Sequence, residues 1–206
     1  MHDAPDQSAP TVFVVDDDEA LRTSFAWLLA SVGFAVETCE SAEAFLAACT
    51  PQRPGCAIVD LALPGLDGVA LQAALTARGI LLPVIIVTGH AGVASVVAAF
   101  RHGAFDYLEK PCSEQVLLDR VNAAVAQDAA ARAVRRAAAV RAARLARLSR
   151  REREVLALVC GGHTSREIAV LLALSPRTIE AHRSRCMQKL AADSLADLVR
   201  RGCPPA

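Results

Sequence analysis

The 206-residue chain predicts a doubly wound α/β domain, a five-stranded parallel sheet with helices on both faces, followed by a small all-helical domain. Three observations predict it. From Thr11 to Val125 short β-rich runs alternate strictly with segments of helical period, and after a helical connection the pattern changes to four short capped helices. The formal charge divides at the same place: 6 Lys+Arg against 15 Asp+Glu through Val125, a net of −9, and 16 against 7 from Ala126 onward, a net of +9. An acidic half suits a cation or a basic partner, and a basic half suits a polyanion, most often nucleic acid.

Taken in order, residues 1–10 read as a flexible tail, carrying Asp3 and Asp6 but no positive cluster ahead of an apolar core, and so no secretory signal. Residues 11–125 form the α/β domain. Its strands are expected at Thr11 to Val15, Ala35 to Cys39, Cys56 to Val59, Pro83 to Val87 and Phe105 to Leu108. Helices are expected near Ala20 to Val32, Ala42 to Ala48, Gly68 to Ala77, Val93 to His102 and Glu114 to Val125. Ser41 and Ser113 stand where helix N-caps belong, and Gly33 and Gly103 where helices stop. Residues 126–147, almost wholly Ala and Arg, read as a solvated helical linker that continues the preceding helix. Val134, Val140 and Leu145 are too few and too irregular for a coiled-coil seam.

Residues 148–206 form the helical domain. Ser149-Arg-Arg-Glu152 and Thr164-Ser-Arg-Glu167 are capping boxes, Ser175-Pro176 places an N-cap before a first-turn proline, and Ser194-Leu-Ala-Asp197 repeats the Ser-x-x-acid signature. The second and third helices, Ser165 to Leu172 and Pro176 to Leu190, are joined by Ala173-Leu174-Ser175 alone, which makes residues of about 164–183 a helix-turn-helix candidate. Ile168, Ala169, Leu172, Leu174 and Ile179 are expected to close its small core.

Composition excludes other classes. No apolar run approaches the length that crosses a bilayer. Seven scattered cysteines, with no Cys-x-x-Cys pair, argue for a reducing cytoplasm and against both a disulfide framework and a zinc site.

The candidate chemistry lies at the carboxyl ends of the strands, which in an open parallel sheet face one crevice. They are Asp16-Asp17-Asp18, Asp60, Thr88 and Lys110-Pro111. Converging carboxylates repel one another unless a hard divalent cation lies between them, and Mg²⁺ accepts a few carboxylate oxygens with water and phosphate completing its octahedron. The Lys110 ammonium and Thr88 hydroxyl suit the other phosphoryl oxygens, so the group fits phosphoryl transfer to Asp60.

These residues carry a resemblance. Val-Val-Asp16-Asp17-Asp18, Ile-Val-Asp60-Leu-Ala-Leu-Pro64-Gly-Leu-Asp-Gly68, Ile-Val-Thr88-Gly-His and Asp-Tyr107-Leu-Glu-Lys110-Pro111 resemble the flavodoxin-like receiver domain of bacterial two-component response regulators. Leu148-Ser-Arg-Arg-Glu-Arg-Glu-Val-Leu156, Arg166-Glu-Ile-Ala169, Ser175-Pro-Arg-Thr-Ile-Glu-Ala-His182-Arg and Lys189-Leu190 resemble the LuxR-type DNA-binding domain. Together they are similar to the FixJ/NarL class, and the Thr-Gly-His after the fourth strand is nearer its FixJ branch.

The resemblance implies a phosphoacceptor at Asp60, phosphate contacts from the switch pair Thr88 and Lys110, and an aromatic switch at Tyr107. It implies Mg²⁺ or Mn²⁺ held by Asp16, Asp17, Asp60 and the Ala62 backbone carbonyl. It implies a sensor histidine kinase and operator DNA as partners, RNA polymerase as a further one, and a homodimer formed on phosphorylation through the surface of residues 93–102, 105–108 and 114–125. It implies no enzyme beyond catalysis of its own phosphorylation and dephosphorylation. In the helix from Pro176 to Leu190, Glu180, Ala181 and Ser184 resemble base-facing residues, and Arg177, Thr178, Arg183 and Lys189 suit phosphates. Glu180 either accepts from a cytosine amino group or orients a neighbouring Arg.

Departures are Leu63 for the usual Met, Cys112 where an aromatic is common, and Ala173 where the turn often has Gly, at a cost of about 1 kcal/mol if φ is positive there. Two other classes compete. Asp16-x-Asp18 has the nucleophile and acid spacing of a haloacid-dehalogenase phosphohydrolase, although Ala20 lacks the hydroxyl that usually follows. A receiver-like adaptor would use the helical domain to bind protein instead of DNA.

Overall fold

The computed structural model describes residues 9–89, 97, 99–101 and 103–203. The chain divides into two compact units, Met1–Arg132 and Ala133–Ala206.

The first unit is a five-stranded sheet of β1 (Thr11–Val15), β2 (Ala35–Cys39), β3 (Gly55–Val59), β4 (Val84–Thr88) and β5 (Asp106–Glu109). Every pair is parallel, in the order β2-β1-β3-β4-β5. The doubly wound sheet expected from the alternation is therefore present, in the flavodoxin-like order that the resemblance implies. Strand boundaries differ from expectation by one residue at the start of β3 and by a one-residue shift at β4 and β5, where apolar runs continue past the ladder.

Alternation sorts the strand residues onto two cores. Phe13, Val15, Ala57, Val59 and Ile86 pack with Phe45 and Leu71, while Val12, Val14, Ile58, Ile85 and Val87 pack with Leu29, Leu117 and Val121. Chain order reverses between β1 and β3, and that switch point is where an open parallel sheet leaves a crevice.

Helices α1 (Glu19–Ser31), α2 (Ala42–Ala48) and α3 (Gly68–Ala77) start on side-chain caps from Asp18, Ser41 and Asp67. The expected helix from Val93 to His102 falls mostly outside the described residues, as does most of that third of the expected dimerisation surface. Helix α4 runs from Glu114 to Ala146, so the predicted helix over 114–125 continues without a break. Within the first unit, buried Asp128 on α4 accepts from the Gly55 N–H at 2.9 Å, and its neighbour Arg132 donates to the carbonyls of Pro51, Gln52 and Arg53. These bonds satisfy the backbone leading into β3. A Cβ at Gly55 would lie 1.9 Å from the Thr11 carbonyl oxygen, so only glycine allows β1 to approach there.

In the second unit, α5 (Arg150–Cys160), α6 (Ser165–Leu172), α7 (Pro176–Leu190) and α8 (Leu195–Gly202) surround a core of Leu148, Val155, Leu156, Val159, Ile168, Ile179, Cys186, Leu190 and Leu198. Both capping boxes form, and Ser175 and Ser194 cap α7 and α8. Ile168, Ala169 and Ile179 are buried as expected, with Leu172 and Leu174 packed partly buried against them. Among the described residues no helix is long and apolar enough to cross a membrane.

One expectation is corrected. Cys160 and Cys203 are joined as a disulfide, whereas seven unpaired thiols were expected. The pair lies 43 residues apart in sequence and is brought together only when α8 packs on α5, so spacing gave no sign of it.

Two predictions follow from the helical unit. Ala173 ends α6 at φ 52°, ψ 47°, a left-handed conformation that strains a Cβ. Ala173→Gly should therefore raise stability in urea unfolding by about 1 kcal/mol. Hydrogen bonds from Arg201 and Arg200 hold the Asp197 carboxyl down at about 2. A depressed acid stabilises above its ordinary pKa of about 4 and loses that contribution as pH falls toward 2, so Asp197→Asn should flatten the acid limb of thermal stability in that window.

Candidate functional site

The first site is built at the sheet's switch point. β1 and β3 pair with Val15 opposite Val59, so the next residues, Asp16 and Asp60, emerge side by side. The Asp60 N–H donates to the Val15 carbonyl at 2.9 Å, which carries the pairing one residue beyond the strands. Thr88 ends β4 fully buried, and the Lys110 N–H donates to its carbonyl at 2.9 Å, so β4 and β5 deliver Thr88 and Lys110 to the same rim.

The Lys110 ammonium donates to Asp16 Oδ2 at 2.7 Å and to Asp60 Oδ2 at 3.3 Å. Burial works against its charge, but the hydrogen bond and charge of Asp16, then those of Asp60, outweigh burial and hold its pKa above the ordinary lysine value. Asp16 is buried, and its second oxygen accepts from the Asp18 N–H at 2.9 Å. Asp60 Oδ1 accepts from the Ala62 N–H at 3.3 Å. Asp16, Asp17 and Asp60 each bring a carboxylate oxygen within 4.8 Å of the other two.

Three carboxylates, one buried, one half-buried and one exposed, leave net negative charge around a single ammonium. That is the donor set and charge a hard divalent cation fits. The floor is equally specific: a Cβ at Gly68 would lie 3.0 Å from the Asp60 carbonyl oxygen and 3.2 Å from Leu61 Cα, so glycine lets α3 start directly beneath the acid.

The Asp triplet divides its labour. Asp18 caps α1, accepting from Ala20 and Leu21 N–H groups, while Asp16 and Asp17 face Asp60. This separates the Asp16-x-Asp18 pair that a phosphohydrolase would need on one substrate. Arg22, which sequence reading passed over, donates to the Asp16 carbonyl at 2.6 Å and steadies the acidic loop. Its only sequence signal is its place in the first turns of the helix that Asp18 caps. Tyr107 packs its ring against the core beside Ile86, and its hydroxyl is buried with no hydrogen-bond partner among the described residues. Burial, then the charges of Glu109 and Asp60, push its pKa upward. Ala62, whose carbonyl is expected as a metal ligand, is tied to Asp60 by its N–H bond to Oδ1.

The second site is the outer face of α7. Arg177, Glu180, Ala181 and Ser184 are exposed there. Thr178 is half-buried, with its hydroxyl 2.8 Å from that of the cap Ser175. Glu180 Oε1 accepts from Ser165 Oγ at 2.5 Å and from Arg183 Nη1 at 3.3 Å, and Arg183 also donates to Ser165. Of the two roles open to Glu180, this geometry favours orienting an arginine. Ser165 is the residue that sequence reading missed, because its place after Thr164 looked like part of a capping box.

Lys189, expected at a phosphate, has a partner within the helical unit. Its ammonium lies 2.6 Å from Oε2 of buried Glu152, with the lysine side chain itself partly exposed. The Lys189 hydrogen bond is the main reason the Glu152 carboxyl sits below its ordinary pKa. His182 is half-buried, with Nδ1 unpartnered among the described residues.

Comparison with known proteins accords with this geometry. Residues 12–122 match the response regulator receiver domain, and residues 146–201 match the bacterial regulatory proteins of the luxR family. The transcriptional regulatory protein TdiR of Thauera aromatica is 42% identical over 93% of this chain and 85% of its own length. The transcriptional regulatory protein FixJ of Rhizobium meliloti is 43% identical over 92% and 93%. Among solved structures, the response regulator StyR aligns with a TM-score of 0.89 at 38% identity, over 94% of this chain and 98% of that one. Full-length FixJ from B. japonicum aligns with a TM-score of 0.58 at 39% identity, over 93% and 95%.

The surplus of carboxylates predicts a stability effect. With divalent cations chelated, Asp60→Asn should be more stable than the natural chain by on the order of 1 kcal/mol in urea unfolding, because one converging charge is gone. Added Mg²⁺ should raise the midpoint of the natural chain more than that of the variant.

Proposed function

The chain belongs to the two-component response regulators that join a receiver domain to a LuxR-type helix-turn-helix domain and act as transcription regulators, and on that premise we propose that Asp60 is the phosphoryl acceptor through which a sensor histidine kinase controls DNA binding. The observation that carries this reading is the convergence of Asp16, Asp17, Asp60 and Lys110 at the switch point. A carboxylate oxygen of Asp60 attacks the phosphorus of the kinase's phosphohistidine, the P–N bond breaks, and an acyl phosphate forms on Asp60. Lys110, already bonded to both Asp16 and Asp60, needs only a small swing to pair with the incoming phosphoryl oxygens. Mg²⁺ or Mn²⁺ held by Asp16, Asp17, Asp60 and the Ala62 carbonyl supplies, when bound, charge neutralisation and in-line positioning. Dephosphorylation uses the same residues with water as the nucleophile.

The new charge then draws on Thr88 at the end of β4, and Tyr107 responds as the second half of the switch. Its buried, unpartnered hydroxyl supports that role. An unmade hydrogen bond costs about 1–3 kcal/mol, so the ring has energy to gain from a second position. Dimerisation through the surface of residues 93–102, 105–108 and 114–125 brings two helical units to one operator, and RNA polymerase is a further partner at the promoter. The work is done in the cytoplasm.

On DNA, α7 enters the major groove with Ala181 and Ser184 toward base edges, Arg177 and Thr178 toward phosphates, and Glu180 holding Arg183. The domain boundaries that suit this division are 11–125, 126–147 and 148–206.

Incubation of the full chain with acetyl phosphate should add one phosphoryl mass only with Mg²⁺ present, promote dimers in light scattering, and tighten binding to DNA. Phosphorylation persisting in Asp60→Asn would overturn the assignment. Arg177→Ala should weaken binding to a random-sequence duplex and reduce the slope of log affinity against log salt by about one. Affinity insensitive to salt would instead favour a protein partner for the helical unit.

A further inference from the structure

Cys160 is the last residue of α5 and Cys203 the first after α8, and the two are bonded with their Cα atoms 5.9 Å apart. Packing brings them together independently of the bond. Gly202 lies so tightly on α5 that a Cβ there would be 2.7 Å from Leu156 Cδ1, and Val159, Leu190 and Leu198 share the core beneath. Two thiols at this spot would already stand within bonding geometry, so oxidation requires little backbone movement.

Cys112 is half-buried in the first unit, and the other four cysteines are unlike this pair. Cys39, Cys49, Cys56 and Cys186 are buried, and burial pushes their thiols up to about 11, about 11, about 12 and about 11. Attack requires thiolate and access, so those four are inert. Cys160 and Cys203 are both only half-buried, within reach of a small oxidant. A regulator that acts on DNA also works where thiols are kept reduced, and disulfides found there are mostly transient or redox-sensing.

We infer that Cys160 and Cys203 form a reversible dithiol–disulfide pair, oxidised by a low-molecular-weight disulfide such as oxidised glutathione, which clasps α8 to α5 in the helical unit. In the first step one cysteine thiolate attacks the small disulfide, its S–S bond breaks, and a mixed disulfide and one small thiol result. In the second, the other cysteine thiolate displaces the remaining small thiol and the Cys160–Cys203 bond forms. The protein loses two electrons and two protons, and the small disulfide gains them as two thiols. The clasp closes a loop spanning α6 and α7, which restricts the unfolded chain and steadies the helix-turn-helix against fraying from its C-terminal side.

The test equilibrates the full chain across glutathione ratios from reducing to oxidising, then traps thiols by alkylation for peptide mapping and thermal unfolding. A Cys160–Cys203 linked peptide should appear as the buffer becomes oxidising and disappear on return. Cys39, Cys49, Cys56, Cys112 and Cys186 should remain alkylatable in denaturant. The oxidised helical unit should unfold at least about 5 °C above the reduced one. Cys160→Ser and Cys203→Ser should each abolish the linkage, and the double Cys→Ala variant should unfold with the reduced chain, which separates the bond from the packing. No linkage at any ratio, a different pairing, a linkage that survives the most reducing ratio, or equal midpoints in the two states would each overturn the proposal. Because none of these readouts uses phosphorylation or DNA, the outcome is independent of the role assigned to Asp60.

Discussion

The first unit is organised around a charge imbalance, with the carboxylates of Asp16, Asp17 and Asp60 gathered within 4.8 Å of one another and one ammonium, Lys110, between two of them. Crowding like charges this closely destabilises a fold, and the rest of the domain is what tolerates it. Two apolar cores sandwich a sheet whose central strands are completely buried. The register of β1 on β3 leaves the acids no separate exits. A site held in electrostatic tension responds strongly to any added charge, a cation relieving the imbalance and an anion deepening it. Tension and responsiveness here are one property.

The helical unit resolves its polar groups in the opposite way. Glu152 is buried, yet it bonds the Ser149 N–H in a capping box and pairs with Lys189, so its charge is compensated from two helices. Asp197 is met by Arg200 and Arg201. Such satisfied networks favour one packing of a small core over others. They also bond cations to acids: Lys189 on α7 to Glu152, and Arg200 and Arg201 on α8 to Asp197. Arg177, near the N-terminus of α7, and Arg185 are exposed, and Arg183 is positioned by Glu180 and Ser165 acting together.

The sequence by itself determined the fold class, since period-2 runs alternating with period-3.6 segments allow few arrangements besides a parallel sheet with crossover helices. It determined which residues stand at strand ends, because a strand that runs into Asp60 or Thr88 announces its own terminus, and it determined the serine and threonine caps, because capping is local. Tertiary structure alone decided what depends on contacts between distant segments. Three adjacent aspartates look equivalent in the chain, but only the turn into α1 makes Asp18 a cap and leaves Asp16 and Asp17 to face Asp60, 42 or more residues later. Lys189 reads as an unpaired cation until the fold sets it against Glu152, 37 residues earlier. Ser165 and Glu180 are 15 residues apart and meet because the turn at Ala173 folds α6 onto α7. Cys160 and Cys203 became partners only through the packing of Gly202 on Leu156. Periodicity and capping are written along the chain, whereas pairing of charges and sulfurs depends on which surfaces a folded core brings together.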